Sequence, residues 1–239
     1  MPSRWLALAL ALGTVAVSAA AGCSSSSTSS PKPSDAGSSG NFDLDGFSGI
    51  DAAEIDLLIL PNESFTGFDG QHTFKVPISV YRADTDLKVT LSDSSVADLR
   101  PATYADPQAD DGKYYVLTAK KAGEVTITAT SRGKTVTSKL TVQAYPQARY
   151  TAGERRYQNA SGADPACASC HQKAGGADHS PTALSSATDQ DIASVVTTGV
   201  KTSGIPITAV QHTWTVTPTE LDGLVTYLRS LPPRGYTEQ

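Results

Sequence analysis

Five consecutive residues, Cys167-Ala168-Ser169-Cys170-His171, carry the clearest chemistry in this chain. Two thiols one helical turn apart, followed at once by an imidazole, make the C-x-x-C-H spacing of covalent haem attachment. The spacing has a mechanical reason. Both thiols can add across the two vinyl groups of one haem, and His171 then falls under the iron as its proximal ligand. A thioredoxin-like dithiol and half of a zinc site use related spacings. The first calls for a βαβ setting, which the surrounding pattern lacks. The second needs two further spaced ligands, and the only other cysteine is Cys23. The expectation is therefore one haem c on Cys167 and Cys170, with His171 on the iron.

The opposite face of that iron needs a second ligand or stays open. The single methionine is Met1, so a His/Met pair is excluded once a leader is removed. His212 precedes the last helix, in the loop that supplies the distal ligand in the class I cytochrome c domains that residues 150–232 resemble, and that resemblance makes it the expected distal ligand. Its neighbour Trp214 could cover the haem edge or bond a propionate. His179 follows His171 closely and reads as a surface residue, with a ligand role as its alternative; Lys201 is a further alternative. Without His212 the iron would be five-coordinate. Methionine ligation raises the reduction potential, so a bis-His haem should sit lower.

The chain start reads as an export signal. Arg4 precedes an apolar run from Trp5 to Val17, and small residues lead to Cys23. Ala20-Ala21-Gly22-Cys23 resembles the lipobox of bacterial lipoproteins, with Ala20 where that family usually has Leu. The resemblance implies cleavage after residue 22, lipid on Cys23, and stable anchoring by more than one acyl chain. Residues 24–40 are rich in Ser, Gly and Pro and read as a flexible tether. Asn41, Asp43, Asp45 and Gly46 imitate the start of an EF-hand loop, but Ala52 stands where a bidentate Glu is required, so a solvated linker is expected. The formal net charge is −5, and Arg4 is the only charge lost with the leader. A mildly acidic chain has no electrostatic footprint for nucleic acid.

The elements that must position these residues fall into two kinds. Between 53 and 144 the apolar pattern has period two. Strands are predicted at 54–60, 73–81, 87–91, 95–99, 114–119, 124–130 and 135–142, separated by Gly, Asp and Pro turns. Val125, Ile127 and Ala129 alternate with Thr126, Thr128 and Thr130, giving one buried and one wet face. The segments SDSSVADL (92–99), LTAKKAGEVTITAT (117–130) and SKLTV (138–142) resemble a bacterial immunoglobulin-like domain of the invasin/intimin type. That implies a β-sandwich and little about function.

From 145 onwards helices are predicted. One is short, at 154–158. A second is capped by Thr188 or Asp189 and stopped at Gly199. The last opens with the capping box Thr217-Pro218-Thr219-Glu220, and Leu221, Leu224, Val225 and Leu228 share one face. Residues 150–232 resemble a small class I cytochrome c domain. Gly153 and Tyr157 match the glycine and aromatic of its first helix, and Tyr227 and Leu228 match its last. Pro181, within His179-Ser180-Pro181-Thr182-Ala183-Leu184, matches a segment whose Pro carbonyl accepts the proximal His N–H in that family, a contact that fixes the ring. Three features depart from the pattern. Ser180 replaces a Gly, the run 159–165 is lengthened, and Ile205-Pro206 stands about where Met-Pro is usual.

The expected architecture is multidomain: signal peptide (1–22), lipidated Cys and linker (23–52), all-β immunoglobulin-like sandwich (53–144), and small all-α cytochrome c domain (145–239). The expected function is electron transfer with a redox partner protein from a lipid anchor in the bacterial cell envelope, with no catalytic residues. An open-site haem sensor or peroxidase-like protein, and an adhesion or docking protein with an accessory haem, remain alternatives.

Overall fold

The structure, a computed structural model, describes residues 57–105, 112–173, 176–208 and 212–239. The export signal, Cys23, the tether, the EF-hand-like stretch and the start of the first predicted strand lie outside the described residues.

Two sheets make the N-terminal part. Their strands are β1 (Leu58–Leu60), β2 (Glu63–Phe68), β3 (Lys75–Tyr81), β4 (Lys88–Leu91), β5 (Ala97–Tyr104), β6 (Lys113–Ala119), β7 (Gly123–Ser131), β8 (Lys134–Ala144) and β9 (Tyr236–Glu238). One sheet has the order β1-β3-β6-β5-β9 and the other β2-β8-β7-β4. The alternation in β7 does what period two dictates. Val125, Ile127 and Ala129 are buried and meet Ile59, Val76, Ile78, Val80, Leu117, Leu140 and Val142 in one core.

All seven predicted strands have counterparts, and two more strands are present among the described residues. β2 pairs parallel with β8 from Glu63↔Lys139 to Phe68↔Ala144. Its sequence, ESFTGF, lacks clean alternation because Tyr145 covers Gly67. A Cβ there would lie 2.0 Å from the Tyr145 ring. β9 follows all the helices and returns to pair with the edge of β5, Ala102↔Glu238 to Tyr104↔Tyr236. The stretch 145–239 is thus not wholly helical, since its end closes the first sheet.

Among the described residues five helices follow: α1 (Ala148–Gln158), α2 (Ala168–His171), α3 (Pro181–Leu184), α4 (Asp189–Thr198) and α5 (Pro218–Ser230). α1 starts six residues before its predicted bound. The caps behave as read: Thr188 and Thr217 form capping boxes with Asp191 and Glu220, and Gly199 ends α4 at φ +67°. α1 and α5 cross with their backbones in contact. A Cβ on Gly153 would lie 1.9 Å from the Gly223 carbonyl oxygen, and one on Gly223 would lie 2.6 Å from the Gly153 nitrogen.

The sandwich and the helices are joined by polar contacts. Phe65 N–H donates to the Ser185 carbonyl at 2.7 Å. Tyr145 hydroxyl donates to Asp189 Oδ2 at 2.6 Å. Arg229, 1% exposed, donates to Asp189 Oδ1 and to the Leu184 and Ala187 carbonyls. A buried guanidinium is tolerated only when its donors are paired this way. Lys75 pairs with Glu238, and Ser79 Oγ lies 3.1 Å from the Tyr236 hydroxyl.

Two substitutions test this frame. Gly153→Ala forces the α1–α5 crossing apart and should cost about 3 kcal/mol, the upper range for overpacking, read as a shift in the denaturation midpoint. Tyr236→Ala removes the rings' contact with Tyr104 and Tyr114 together with the Ser79 bond. It should cost about 2 kcal/mol, measured the same way, with the sandwich core retained.

Candidate functional site

A cavity of about 490 Å³ lies between α2, α4, α5, residues 201–203 and the segment at His212 and Trp214. That volume falls among small-molecule sites of ~300–1,000 Å³. Its apolar wall includes Leu184, Ile192, Val196, Leu224 and Leu228. Its chemistry comes from Cys167, His171, His179, His212 and Trp214.

The C-x-x-C-H segment folds as a single helical turn. Cys167 precedes α2, and the amides of Cys170 and His171 both bond to the Cys167 carbonyl at 3.2 and 3.0 Å. Cys167 is a free thiol facing the cavity. Burial pushes its thiol up, against the pull of the Arg156 charge. Cys170 lies off the cavity wall, with Sγ 3.7 Å from Ser169 Oγ.

His171 donates from Nδ1 to the Ala177 carbonyl at 3.1 Å. That bond fixes the tautomer and leaves Nε2 with its lone pair. The acceptor expected at Pro181 is therefore Ala177 here. Pro181 is buried at the start of α3, and its carbonyl takes the Ser185 N–H at 3.0 Å. The short α3 turns that carbonyl into its own helix.

His179, expected on the surface, lines the cavity instead. Its ring stacks on His171 at 3.4 Å between centroids, with planes 22° apart. Asp178 holds this turn by accepting from Ser180 N–H and Oγ, so the segment cannot swing outward. Burial, then the neighbouring His171 and His212, push His179 down to about 3. His212 lies 6.1 Å from His171 between centroids, with planes 85° apart. Among the described residues, Nδ1 of both His179 and His212 is buried without a hydrogen-bond partner. Burial also lowers His171 and His212. Three imidazoles kept neutral by desolvation keep their lone pairs.

His212 is held by residues that spacing alone did not single out. Trp214 packs against it at 4.6 Å and donates Nε1–H to the Pro165 carbonyl at 3.1 Å. That donor is therefore spent on the backbone and is not free for a propionate. Asp164 accepts from Thr215 N–H at 2.8 Å and pairs with Arg156, 2% exposed, at 3.4 Å. The lengthened run 159–165 is thus the anchor of the His212 segment. A signal was present in the sequence: Asp164-Pro165 directly precedes the cysteines. Lys201 also lines the cavity, whereas Ile205 is 59% exposed.

No protein-family model matches the chain, and no curated protein matches it. Among solved structures, domains 4 and 5 of the S-layer protein SbsC are similar at 20% identity and TM-score 0.27, over 37% of this chain and 44% of that one. A twitchin kinase fragment from C. elegans with immunoglobulin domains is similar at 14% identity and TM-score 0.26, over 41% of this chain and 22% of that one. The chain spans less than half the length of either. At these scores the likeness carries no weight beyond compatibility with an immunoglobulin-like sandwich, which rests on the strand pairing itself.

Asp164→Ala tests the anchor. It strands the buried Arg156 guanidinium and should cost about 3 kcal/mol, whereas Asp98→Ala, paired to the exposed Arg100, should cost about 1 kcal/mol or less. Chemical denaturation of the two variants measures the difference.

Proposed function

We propose that the protein carries one haem c on Cys167 and Cys170 and transfers electrons to and from a redox partner protein. The single observation that carries this reading is convergence: Cys167 and His171 of the C-x-x-C-H turn line one cavity with His212, and His171 and His212 stand 6.1 Å apart. Two imidazoles on opposite sides of one metal, with N–metal bonds of about 2.0–2.1 Å, stand about 6 Å apart between centroids. The 6.1 Å between His171 and His212 suits that spacing. The two buried, unpartnered Nδ1 atoms also suit a group not present among the protein's own donors.

In this reading His171 and His212 would hold the iron and Cys167 and Cys170 the porphyrin, and the group would supply one-electron redox chemistry. The chain's residues do the rest. Ala177 orients His171 through its Nδ1–H, a contact that also raises ligand basicity. Trp214 and Asp164 hold the His212 segment. Leu184, Ile192, Val196 and Leu224 exclude water, which favours the uncharged form of the site. Electron transfer asks for no acid, base or nucleophile, and transient contact with a partner is enough.

The same reading makes the chain an exported bacterial lipoprotein, anchored through Cys23 and held off the membrane by its tether. The sandwich then acts as a docking platform fixed to the haem unit through Arg229, Tyr145 and β9.

Expression with a haem-maturation system tests the proposal. The expected result is a band that stains for haem-dependent peroxidase activity after denaturation. Cys170→Ala should weaken that stain, and Cys167→Ala with Cys170→Ala should remove it. A mass equal to the bare polypeptide plus lipid would end the reading. For the ligand assignment, the expected optical and EPR spectrum is six-coordinate and low-spin. His212→Ala should convert it to high-spin and let the reduced form bind CO.

A further inference from the structure

His171 and His212 stand almost square to each other, with planes 85° apart. Each ring is held at its angle by contacts of its own. His171 gives Nδ1–H to the Ala177 carbonyl at 3.1 Å, which fixes the direction of one ring edge. A ring held only by that bond could still tip about the N–H axis. His179 blocks the tipping, because it lies flat on the face of His171, 3.4 Å between centroids and 22° between planes.

His179 is itself fixed. Asp178 accepts from Ser180 N–H and Oγ at 2.8 and 3.0 Å, and Ser180 Oγ accepts the Arg234 N–H at 3.0 Å. Tyr157, 2% exposed, packs against the His179 ring at 6.1 Å. The His212 ring is held separately. Trp214 packs against it at 4.6 Å and gives its backbone N–H to the Val196 carbonyl at 3.1 Å, near the end of α4. A Cβ on Gly199 would lie 2.6 Å from the His212 carbonyl oxygen, so this segment sits directly on that helix end.

We propose that His179 is a positioning residue for His171: its stacked ring keeps His171 crossed with His212 rather than parallel to it. The proposal rests on the haem reading above and adds the mutual orientation of the two imidazoles. An imidazole donates to a metal through the π orbital perpendicular to its ring. Crossed rings act on two different iron d orbitals and leave them nearly equal in energy. Parallel rings act on the same orbital and split the pair. Crossed rings therefore give a low-spin ferric EPR spectrum with one dominant large-g feature, and parallel rings give a three-line rhombic spectrum. The crossed arrangement also stabilises the ferric state less, which raises the reduction potential. A group that orients a ligand without touching the metal tunes the metal in this way. Neither the C-x-x-C-H spacing nor the ligand count assigns that role to His179.

The experiment records low-temperature EPR spectra of the ferric full-chain holoprotein and measures its potential by redox titration. The expected wild-type spectrum is the single large-g feature. His179→Ala removes the flat neighbour and should replace that feature with the rhombic spectrum and lower the potential. His179→Thr stands in if His179→Ala does not fold. His179→Phe restores a flat ring and should keep the wild-type spectrum and potential. A role in packing alone would lower stability and leave the g values where they were. A rhombic wild-type spectrum, unchanged g values in the Ala or Thr variant, or a Phe variant that behaves like the Ala variant overturns the positioning role while the haem reading stands. A high-spin wild-type spectrum overturns His212 as a ligand and the positioning role together. Absence of covalent haem overturns the whole reading.

Discussion

The backbone contact between Gly153 and Gly223 is the constraint from which the site follows. Neither helix could approach so closely with a side chain at the crossing. Contact at that point sets Tyr157 of α1 against Tyr227 of α5 and turns Leu224 and Leu228 toward the cavity. The same crossing lets α5 continue to Arg229, whose buried guanidinium ties Asp189 and two carbonyls to it. Loss of the crossing would open the cavity wall and release the junction to the sandwich together.

That junction explains why the sandwich and the helices are better viewed as coupled parts than as a head on a spacer. Asp189 is used twice, once by Arg229 and once by the Tyr145 hydroxyl from the end of the sandwich. Burial and the Asp189 charge push the Tyr145 phenol far up, so the hydroxyl remains a donor. β9 then brings the chain end back to β5, and a strand that would otherwise be an open edge is paired.

Desolvation governs the histidines. Three imidazoles within one cavity would repel one another if protonated, and burial removes that state instead. Neutral rings can stack, as His171 and His179 do, and can offer lone pairs. The Ala177 carbonyl decides which nitrogen of His171 is offered, a choice made by a backbone group with no sequence signature.

The sequence by itself determined the local chemistry: the Cys167–His171 turn, the Thr188 and Thr217 caps, the Gly199 stop, and the in-out alternation of β7. Each is written within a few neighbouring residues, where periodicity and capping act. Gly153, Tyr157 and Tyr227 were legible through resemblance, but their partner Gly223 was not, because a close approach is a property of two segments. The tertiary structure alone decided the rest. β2 and β9 depend on pairing with strands far along the chain, Glu63 with Lys139 and Ala102 with Glu238. His179 turned inward because Asp178 and α3 hold its turn, and the Ala177 carbonyl took the place expected of Pro181. The stack of His72 on Tyr150 could not be read from spacing, since its rings come from segments that only folding brings into contact.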